Sequence, residues 1–531
     1  MAETAPHTTT DPAADPPTAS RVQPAELALL VSVFVVAACG LVYELAAGAL
    51  ASYLLGDSVL QFSTVIGTYL FAMGVGSWLS RHVERQLVAQ FLRIELLVGV
   101  AGGLMPAALF VAHSLLPATA PGAFRVLLYG MVGLIGVLVG LEIPLVMRIL
   151  QRRFRQRYAL KDLVSQVLTF DYLGALAVSL AFPLLLVPHL GVVRTGVFFG
   201  LMNVAVAIWV CWLFRPELRA WRAHAWACVL SMGLLLGAMV GAAPLTTWAE
   251  DRFYGEGVVV REDTPYQRIV LTQGRDSTRL FLNGNLQFSS RDEYRYHEAL
   301  VHPAMAAHGA PRRVLVLGGG DGMAVREVLR HPSVQQVTLV ELDPAMTRLF
   351  SRDERLVALN QGALRDPKVK VVNADAFTWL GTHDEVFDVV IVDFPDPTSH
   401  AIGKLYSTTF YAVLERHLAA SGYAVIQTTS PLLARQSFWT VVATLEAVGL
   451  QTTPYHAHVP SFGEWGFVLA HRRAWQAPRQ LPTGLRFLTV QGLPALFDFP
   501  PDMARLEMPP NRLSTQNLVH TFEAEWGRVH Q

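Results

Sequence analysis

The sequence predicts two structural classes in one chain. A multi-span α-helical membrane domain is followed by an α/β Rossmann-like (methyltransferase-type) doubly wound domain, which a small β unit precedes. Composition is the first observation, because the 531-residue chain is 52% hydrophobic and only 16% charged, whereas soluble domains are about one-quarter charged. Long apolar runs lie before residue 250. The small β unit is predicted to have strands at 256–261, 267–273 and 278–283. After residue 312 strands alternate with helices, which is typical of a parallel sheet, and the strands are predicted at 313–317, 336–341, 369–373, 387–393 and 422–427.

The order of these patterns predicts five regions. Residues 1–24 are rich in Ala, Pro, Thr and Asp, and we expect a disordered tail because they cannot bury enough apolar surface to offset ordering entropy. The other regions are a membrane domain of about seven helices (25–248), a small β substrate-wall domain (249–310), the Rossmann-like domain (311–475) and a C-terminal extension (476–531) expected to pack over the site.

Seven apolar stretches each approach the roughly 20 residues that a helix needs to cross the hydrocarbon layer of a bilayer. The boundary between the fifth and the sixth, near His189 and Gly191, is the weakest. The three cysteines of the chain fall in these stretches and are interpreted as small core residues. The stretches cover residues 26–49, 58–80, 91–116, 124–150, 168–190, 191–214 and 224–245.

Basic residues in the connecting loops predict the orientation of the helices. Twelve Arg and Lys residues lie in loops 81–93, 148–167 and 214–223, whereas the alternate loops hold only Arg125 and Arg194. The rule therefore assigns the N-terminus and the three basic loops to the cytoplasm. Seven spans would then leave the C-terminal half outside.

A glycine turn follows the first strand of the Rossmann-like pattern, in segment 314–322. Gly318 and Gly320 permit close backbone approach to a ligand, and Asp321 follows them. Glu341 ends the next strand, where an acidic residue can accept both ribose hydroxyls. Asp375 ends the third strand and can receive an adenine amino group. Together these residues predict an adenosine pocket, with an ordinary Rossmann core carrying incidental acids as the alternative.

Two carboxylates three residues apart follow the fourth strand, at the edge where α/β sites lie. Asp393 and Asp396 suit a cationic amine, since one acid can hold an ammonium group while the other removes a proton. The alternative interpretation is a solvated loop with ordinary acids. Upstream, the polar and aromatic segments 282–287 and 291–298 lie where a wall that closes over the substrate is expected.

These motifs resemble the spermidine synthase family, in order and at its spacing, over roughly residues 255–475. Methyltransferases share the glycine turn but not the remaining residues. The apolar half resembles that of bacterial multi-span members of the family. The matching positions are Tyr266-Gln267, Gly284 and Gln287, Asp292-Glu293, Tyr296-His297-Glu298, Gly318 to Gly322, Glu341, Asp375, Asp393, Asp396-Pro397, Leu405-Tyr406-Ser407 and Phe410-Tyr411.

The resemblance implies transfer of an aminopropyl group from decarboxylated S-adenosylmethionine, as co-substrate, to putrescine or a related amine. The products would be spermidine or an analogue and 5′-methylthioadenosine. Asp393 would accept the proton and Asp396 would hold the diamine. Tyr296, His297 and Tyr406 would line the polyamine tunnel. The donor would be bound by Gln267, Gln287, Gly318, Gly320, Asp321, Glu341, Asp375 and Ala376. We expect no metal, because no ligand cluster has a suitable spacing.

Two positions depart from the family pattern. An acidic residue is common after the fifth strand, but segment 427–431 has none. Phe394 and Pro395 replace the small polar residue often found between the two aspartates. Both changes leave the acceptor amine open to a longer, shorter or differently charged molecule.

Two other functions remain as alternatives: a methyltransferase that uses intact S-adenosylmethionine, and a polyamine transporter or sensor with a nucleoside-binding soluble domain. Glu44, Glu95, Glu142 and Asp171 lie in or beside the apolar stretches, and either pair near helix ends or line a path for polyamines.

The expected partners are the lipid bilayer and a second copy of the chain, and the zero net charge gives no sign of nucleic-acid binding. We expect a multi-pass protein of the inner membrane. Supply of the donor favours a cytoplasmic catalytic half, against the charge rule. One re-entrant segment within 168–214 would reconcile the two.

Overall fold

The computed structural model describes residues 24–55, 58–116, 121–154, 160–255 and 257–529 of the chain. All but the last residue of the predicted tail 1–24 lies outside these ranges. The described residues fall into a helical half, a small antiparallel sheet and a larger mixed sheet flanked by helices.

Seven long helices make up the helical half within the described ranges. Their residues are almost continuously apolar, which favours a bundle that buries some side chains between helices and leaves others on its outer face. The helices are α1 (Pro24–Leu55), α2 (Ser58–Leu79), α3 (Leu87–Leu115), α4 (Pro121–Phe154), α5 (Leu160–Ala181), α6 (Val187–Leu213) and α7 (Trp221–Tyr254).

The weak boundary between the fifth and sixth apolar stretches is a helix kink. A π-helical turn, Phe182–Leu186, connects α5 to α6, and Gly191 within α6 has non-helical dihedrals (φ 74°, ψ 164°). Only glycine adopts such a conformation readily, so this position can redirect the chain. Because the helical hydrogen bonding continues across the kink, the described residues contain six helical segments long and apolar enough to cross a membrane, one of them Lys161–Leu213.

The small sheet begins after α7 and contacts the ends of the helical half. The Tyr254 ring lies 4.7 Å from the Phe281 ring, and its hydroxyl is 3.1 Å from that of Tyr53 at the end of α1. The sheet is antiparallel in sequence order, and its fourth strand was not predicted. Its strands are β1 (Gly257–Asp263), β2 (Arg268–Gln273), β3 (Thr278–Leu282) and β4 (Asn285–Ser289).

The larger sheet has the order β10-β11-β9-β8-β5-β6-β7. Strands β5 to β9 are parallel, whereas β11 pairs antiparallel with β9 and β10 antiparallel with β11, so the predicted parallel sheet is in fact mixed. The strands are β5 (Arg313–Gly318), β6 (Gln336–Glu341), β7 (Val369–Asn373), β8 (Phe387–Asp393), β9 (Leu418–Thr428), β10 (Gln451–Val459) and β11 (Gly463–His471).

Helices cover both faces of this sheet, as the doubly wound class requires. Along β5, Val314 and Val316 pack into one core while Leu315 and Leu317 pack into another, because successive strand side chains point to opposite faces. The helices are α8 (Glu293–His308), α9 (Met323–Leu329), α10 (Pro344–Arg352), α11 (Glu354–Leu359), α12 (Ala376–Thr382), α13 (His400–Gly403), α14 (Thr408–Arg416), α15 (Arg435–Glu446) and α16 (Asn517–Val529).

The C-terminal extension is fixed to the Rossmann-like domain by buried hydrogen bonds. Glu298 accepts the backbone N–H groups of residues 486–488 at 2.7–2.9 Å. Asn511, fully buried, donates to the carbonyls of Gly403 and Tyr406 at 3.2 and 3.0 Å. The extension therefore supports the segment that carries Tyr406, one of the predicted site residues.

Candidate active site

The site forms where β5 and β8 lie side by side, at their carboxyl ends. Gly318, the last residue of β5, pairs with Asp393, the last residue of β8. Gly318 and Gly319 have positive φ angles of 78° and 65°. A side chain on Gly319 would begin 3.0 Å from Oδ2 of Asp393, so glycine there keeps this carboxylate oxygen open.

Glu341 reaches the same glycine turn from β6. Its Oε2 accepts the Gly320 N–H at 3.1 Å, and its Oε1 accepts the Asp343 N–H at 2.9 Å. A side chain on Gly320 would begin 2.7 Å from the Glu341 Cγ. Burial raises the pKa of Glu341 to about 7, although both backbone donors oppose the rise.

Asp321 and Asp375 lie close to this turn with their carboxylates already engaged. Asp321 is buried and accepts the Met323 N–H at 2.9 Å. Asp375 caps α12 by accepting the Thr378 N–H at 2.9 Å, and Lys404 binds its other oxygen at 2.8 Å. Binding of an adenine amino group by Asp375 would therefore compete with Lys404.

The two predicted glutamines differ in position. Gln267 donates a 3.1 Å hydrogen bond to Asp343, two residues after Glu341, so the structure brings it close to another predicted site residue. Gln287 donates to the carbonyl of Asn285 at 3.2 Å. Within the described ranges, no hydrogen bond joins Gln287 to another predicted site residue. Ala376 is buried at the start of α12.

Asp393 is held by a neighbouring phenol. The hydroxyl of Tyr296 donates a 2.6 Å hydrogen bond to its Oδ1. Burial raises the pKa of Asp393 to about 6; the charge of His297 and the Tyr296 hydrogen bond oppose this rise, and Asp321 adds to it. A carboxylate with this pKa is ionised at neutral pH and still basic enough to accept a proton.

Asp396 lies beside a cluster of aromatic and amide groups. Its Oδ1 is buried without a hydrogen-bond partner in the described part of the chain. Burial raises the pKa of Asp396 to about 7, and Gln427 opposes the rise. Gln427 donates to the carbonyl of Phe394 and to the Tyr406 hydroxyl, and accepts from the Trp465 indole at 3.1 Å. Gln427 thus fixes the segment between the two aspartates.

A buried ion-pair network supports His297. The carboxylate of Glu293 accepts from His297 Nδ1 at 2.8 Å and receives a two-point contact from Arg326 at 3.0 and 2.9 Å. Burial alone would lower the pKa of His297, but Glu293 outweighs it and the pKa is raised. Arg326 also contacts Glu327 at 2.8 Å. Arg326 thus contacts two buried carboxylates and, together with His297, offsets part of the cost of burying them.

Sequence reasoning assigned no separate role to several residues of this site. Asp343 follows Glu341 by two positions, a spacing that could have indicated it. Arg326 and Lys404 carry no local motif, because their partners are distant in the chain. Trp465 lies on β11, a strand that was not predicted. The roles of these residues appear only once the chain is folded.

A separate cavity of about 600 Å³ lies in the helical half and contains none of the predicted site residues. Arg93, Arg152, Arg219 and His224 are among its lining residues. Within the described ranges, no group of three or more His, Cys, Asp or Glu residues is arranged to hold a metal ion.

Fold and site together define a transferase of the Rossmann-like class, with a glycine turn and acidic strand ends on one side and paired carboxylates on the other. Residues 293–476 match the spermine/spermidine synthase domain. Polyamine aminopropyltransferase 2 of Ralstonia nicotianae is 56% identical, covering 94% of this chain and 98% of that protein. Polyamine aminopropyltransferase of Leptospira interrogans is 48% identical, over 95% and 99%. The chain belongs to the polyamine aminopropyltransferase family.

Among solved structures, one similar chain is a spermidine synthase in complex with the transition state analogue AdoDATO. It is 27% identical, with a TM-score of 0.43, and the match covers 46% of this chain and 85% of that chain.

Proposed function

We propose that this chain transfers the aminopropyl group of decarboxylated S-adenosylmethionine to putrescine or a related amine, giving spermidine or an analogue and 5′-methylthioadenosine. The observation that carries the proposal is the pair Asp393 and Asp396, which stands beside the glycine turn with raised pKa values of about 6 and about 7. The names of the relatives support the same reaction class.

Asp393 acts as the general base. An alkylammonium has a pKa of about 10, as in lysine, and must lose a proton before it can attack. The amine lone pair forms the new C–N bond while the C–S bond breaks, and its electron pair neutralises the sulfonium. The proton from the amine goes to Asp393. Tyr296 holds Oδ1, so Oδ2 on the Gly319 side is the oxygen that receives it.

Asp396 holds the acceptor. Its unpartnered Oδ1 is suited to an ammonium group, because a buried acceptor gains most from a charged donor. Tyr296, His297 and Tyr406 line the path of the amine. Gln427 fixes the backbone between the aspartates. Segment 427–431 contains no acid, so the far amine of the acceptor has no charged partner there.

Glu341 binds the ribose hydroxyls, and Asp321 in the glycine turn also binds the donor. A positively charged donor is attracted by both carboxylates, and its adenosine can approach the backbone only because Gly318 and Gly320 lack side chains. Gln267 orients Asp343 at the edge of this pocket. Asp375 and Ala376 complete the adenine end, and Gln287 lies on the aminopropyl side.

Incubating the purified protein with each donor and a panel of diamines tests this proposal. Methylthioadenosine should form only from decarboxylated S-adenosylmethionine together with an amine. Formation of S-adenosylhomocysteine from intact S-adenosylmethionine would favour a methyltransferase instead. Amine binding without turnover would favour a transporter or sensor.

We further propose that residues 25–248 form a membrane domain. Large apolar side chains are exposed on the helical half, including Phe71 (75%), Trp212 (75%) and Val240 (81%), while Glu95 and Glu142 are buried. Apolar residues outside and polar residues inside is the arrangement that hydrocarbon favours. The chain would thus be a multi-pass inner-membrane protein in contact with lipid, and it would pair with a second copy through its soluble half.

The catalytic half meets the C-terminal ends of α1 and α7. Arg93, Arg152 and Arg219, one from each basic loop, line one cavity at the opposite ends of the helices. The charge rule would therefore put catalysis outside the cytoplasm. We propose the cytoplasmic side, because the donor is made there. The test is a reporter enzyme that works only in the periplasm, fused after Gln531. We expect the fusion to be inactive, and reporter activity would contradict this assignment.

A further inference from the structure

Four polar side chains are completely enclosed in the helical half, away from the active site. Tyr43, Glu95 and Asn203 are 0% exposed and Glu142 is 1% exposed. They come from α1, α3, α6 and α4 respectively, and we name these four residues the acidic cluster. Asn203 Nδ2 donates a 3.3 Å hydrogen bond to Glu95 Oε2.

Glycines on α3 allow these residues to approach one another. A side chain on Gly99 would begin 3.0 Å from the Asn203 Cβ, and one on Gly102 would begin 2.6 Å from the ring of Tyr43. Tyr43 and Glu95 both interact electrostatically with Glu142. The four side chains therefore form one group between the helices.

The acidic cluster holds more acceptors than donors. Glu95 Oε1, both carboxylate oxygens of Glu142, Asn203 Oδ1 and the Tyr43 hydroxyl have no hydrogen-bond partner among the described residues. Burying an unpaired polar group costs roughly 1–3 kcal/mol, and an unpaired charge costs more. A ligand with N–H or O–H donors and a positive charge would satisfy these unpartnered oxygens.

We propose that the acidic cluster is a second binding site for a primary alkylammonium group of a diamine or polyamine. An ammonium group carries three N–H donors, which can bind three of the unpartnered oxygens of the acidic cluster. Its positive charge also compensates the charge of a carboxylate. The arrangement does not suit a multivalent metal, since no group of three or more metal-ligating side chains occurs within the described ranges. This inference rests on the proposed function only for the choice of ligand, because amines are the substrates and products of the proposed reaction.

Half-buried acids connect the acidic cluster to the bundle surface. Asp171 on α5 interacts electrostatically with Glu142. Glu44 lies one residue after Tyr43 on α1 and is also half-buried. A cationic amine entering from the edge of the bundle would meet Asp171 or Glu44 before reaching the buried pair.

The test is equilibrium binding of radiolabelled spermidine to the full-length protein in lipid nanodiscs. Wild type should bind two spermidines per chain, one in each half. Asp396→Asn should remove the catalytic-half site, and the double variant Glu95→Gln with Glu142→Gln should remove the other. Asp162→Asn, an exposed acid at the start of α5, is the matched control and should bind two.

Wild-type stoichiometry in the double variant, or displacement of the second spermidine by sodium at equal ionic strength, would overturn the inference. Should the double variant fail to fold, Tyr43→Phe replaces it. Loss of its hydrogen bond to a charged ligand, worth about 1.5 kcal/mol, should weaken the second site about tenfold. Unchanged affinity would count against the site. Methylthioadenosine production is measured separately. The binding result can therefore be interpreted even if the proposed transferase activity is not found.

Discussion

The hydroxyl of Tyr296 donates a 2.6 Å hydrogen bond to Oδ1 of Asp393. This contact stabilises the ionised carboxylate, in opposition to burial, which raises the pKa of Asp393 to about 6. One residue on α8 therefore adjusts the proton affinity of the residue that ends β8. The consequence can be read directly from pH–rate profiles.

For the wild type, kcat/KM should rise with pH through about 6, since Asp393 must be ionised to accept a proton. Tyr296→Phe removes a hydrogen bond that favours the charged form. The acidic limb should then move upward by about one pH unit, as a hydrogen bond to a charged group is worth roughly 1.5 kcal/mol. A limb that stays in place or moves down would contradict this role of Tyr296.

Tyr294→Phe is the matched control for that profile. Tyr294 lies two residues before Tyr296 on α8, and the guanidinium carbon of Arg486 is 3.7 Å from its ring centre. Its hydroxyl has no hydrogen bond to Asp393, so the acidic limb should match that of the wild type.

Asp396→Asn should weaken binding of the acceptor amine rather than binding of the nucleoside donor. Loss of a charge-assisted hydrogen bond of about 1.5–3 kcal/mol should raise the KM for the diamine roughly 10- to 100-fold. The KM for the nucleoside donor should change little. Steady-state kinetics with each substrate varied in turn separate the two, and an effect confined to the donor would be inconsistent with the proposed role.

Glu341→Gln should instead weaken binding of the nucleoside donor. The amide cannot accept from both ribose hydroxyls while also accepting the N–H groups of Gly320 and Asp343. We expect methylthioadenosine, measured by calorimetry, to bind about 10-fold more weakly, equivalent to about 1.4 kcal/mol. If the variant binds methylthioadenosine as tightly as the wild type does, Glu341 does not bind the nucleoside.

Arg326→Met should destabilise the Rossmann-like domain. The substitution removes the guanidinium that contacts both buried carboxylates, and breaking a buried ion pair costs about 3–5 kcal/mol. Glu293 keeps its contact with His297, and Glu327 keeps its contacts with His302 and Arg330. Chemical denaturation of the full-length protein, with the wild type measured alongside, gives the loss in the free energy of unfolding. Arg355→Met breaks an exposed pair with Asp353 and should cost about 1 kcal/mol or less. Equal losses in the two variants would refute the structural role of the network.

The strands were predictable where apolar runs stand between clearly marked turns. β6, β7 and β8 begin and end as predicted, because apolar runs rich in valine stand between polar segments. β10 and β11 were missed, since β10 contains Pro454, His456 and His458, which mask the alternation. In the site, Glu341 and Asp393 end β6 and β8 as predicted, whereas Asp343 was given no role. The partners of the site acids were not predictable, as the contacts from Arg326 to Glu293 and from Lys404 to Asp375 span 33 and 29 residues.

The central claim is that Asp393 takes the proton from the attacking amine. The most direct measurement is single-turnover formation of methylthioadenosine by Asp393→Asn, with bound donor confirmed in the same sample. General-base catalysis is worth about 10²- to 10⁴-fold, so the rate should fall by that factor while donor affinity is kept. An Asp393→Asn protein that turns over at the wild-type rate would contradict the account.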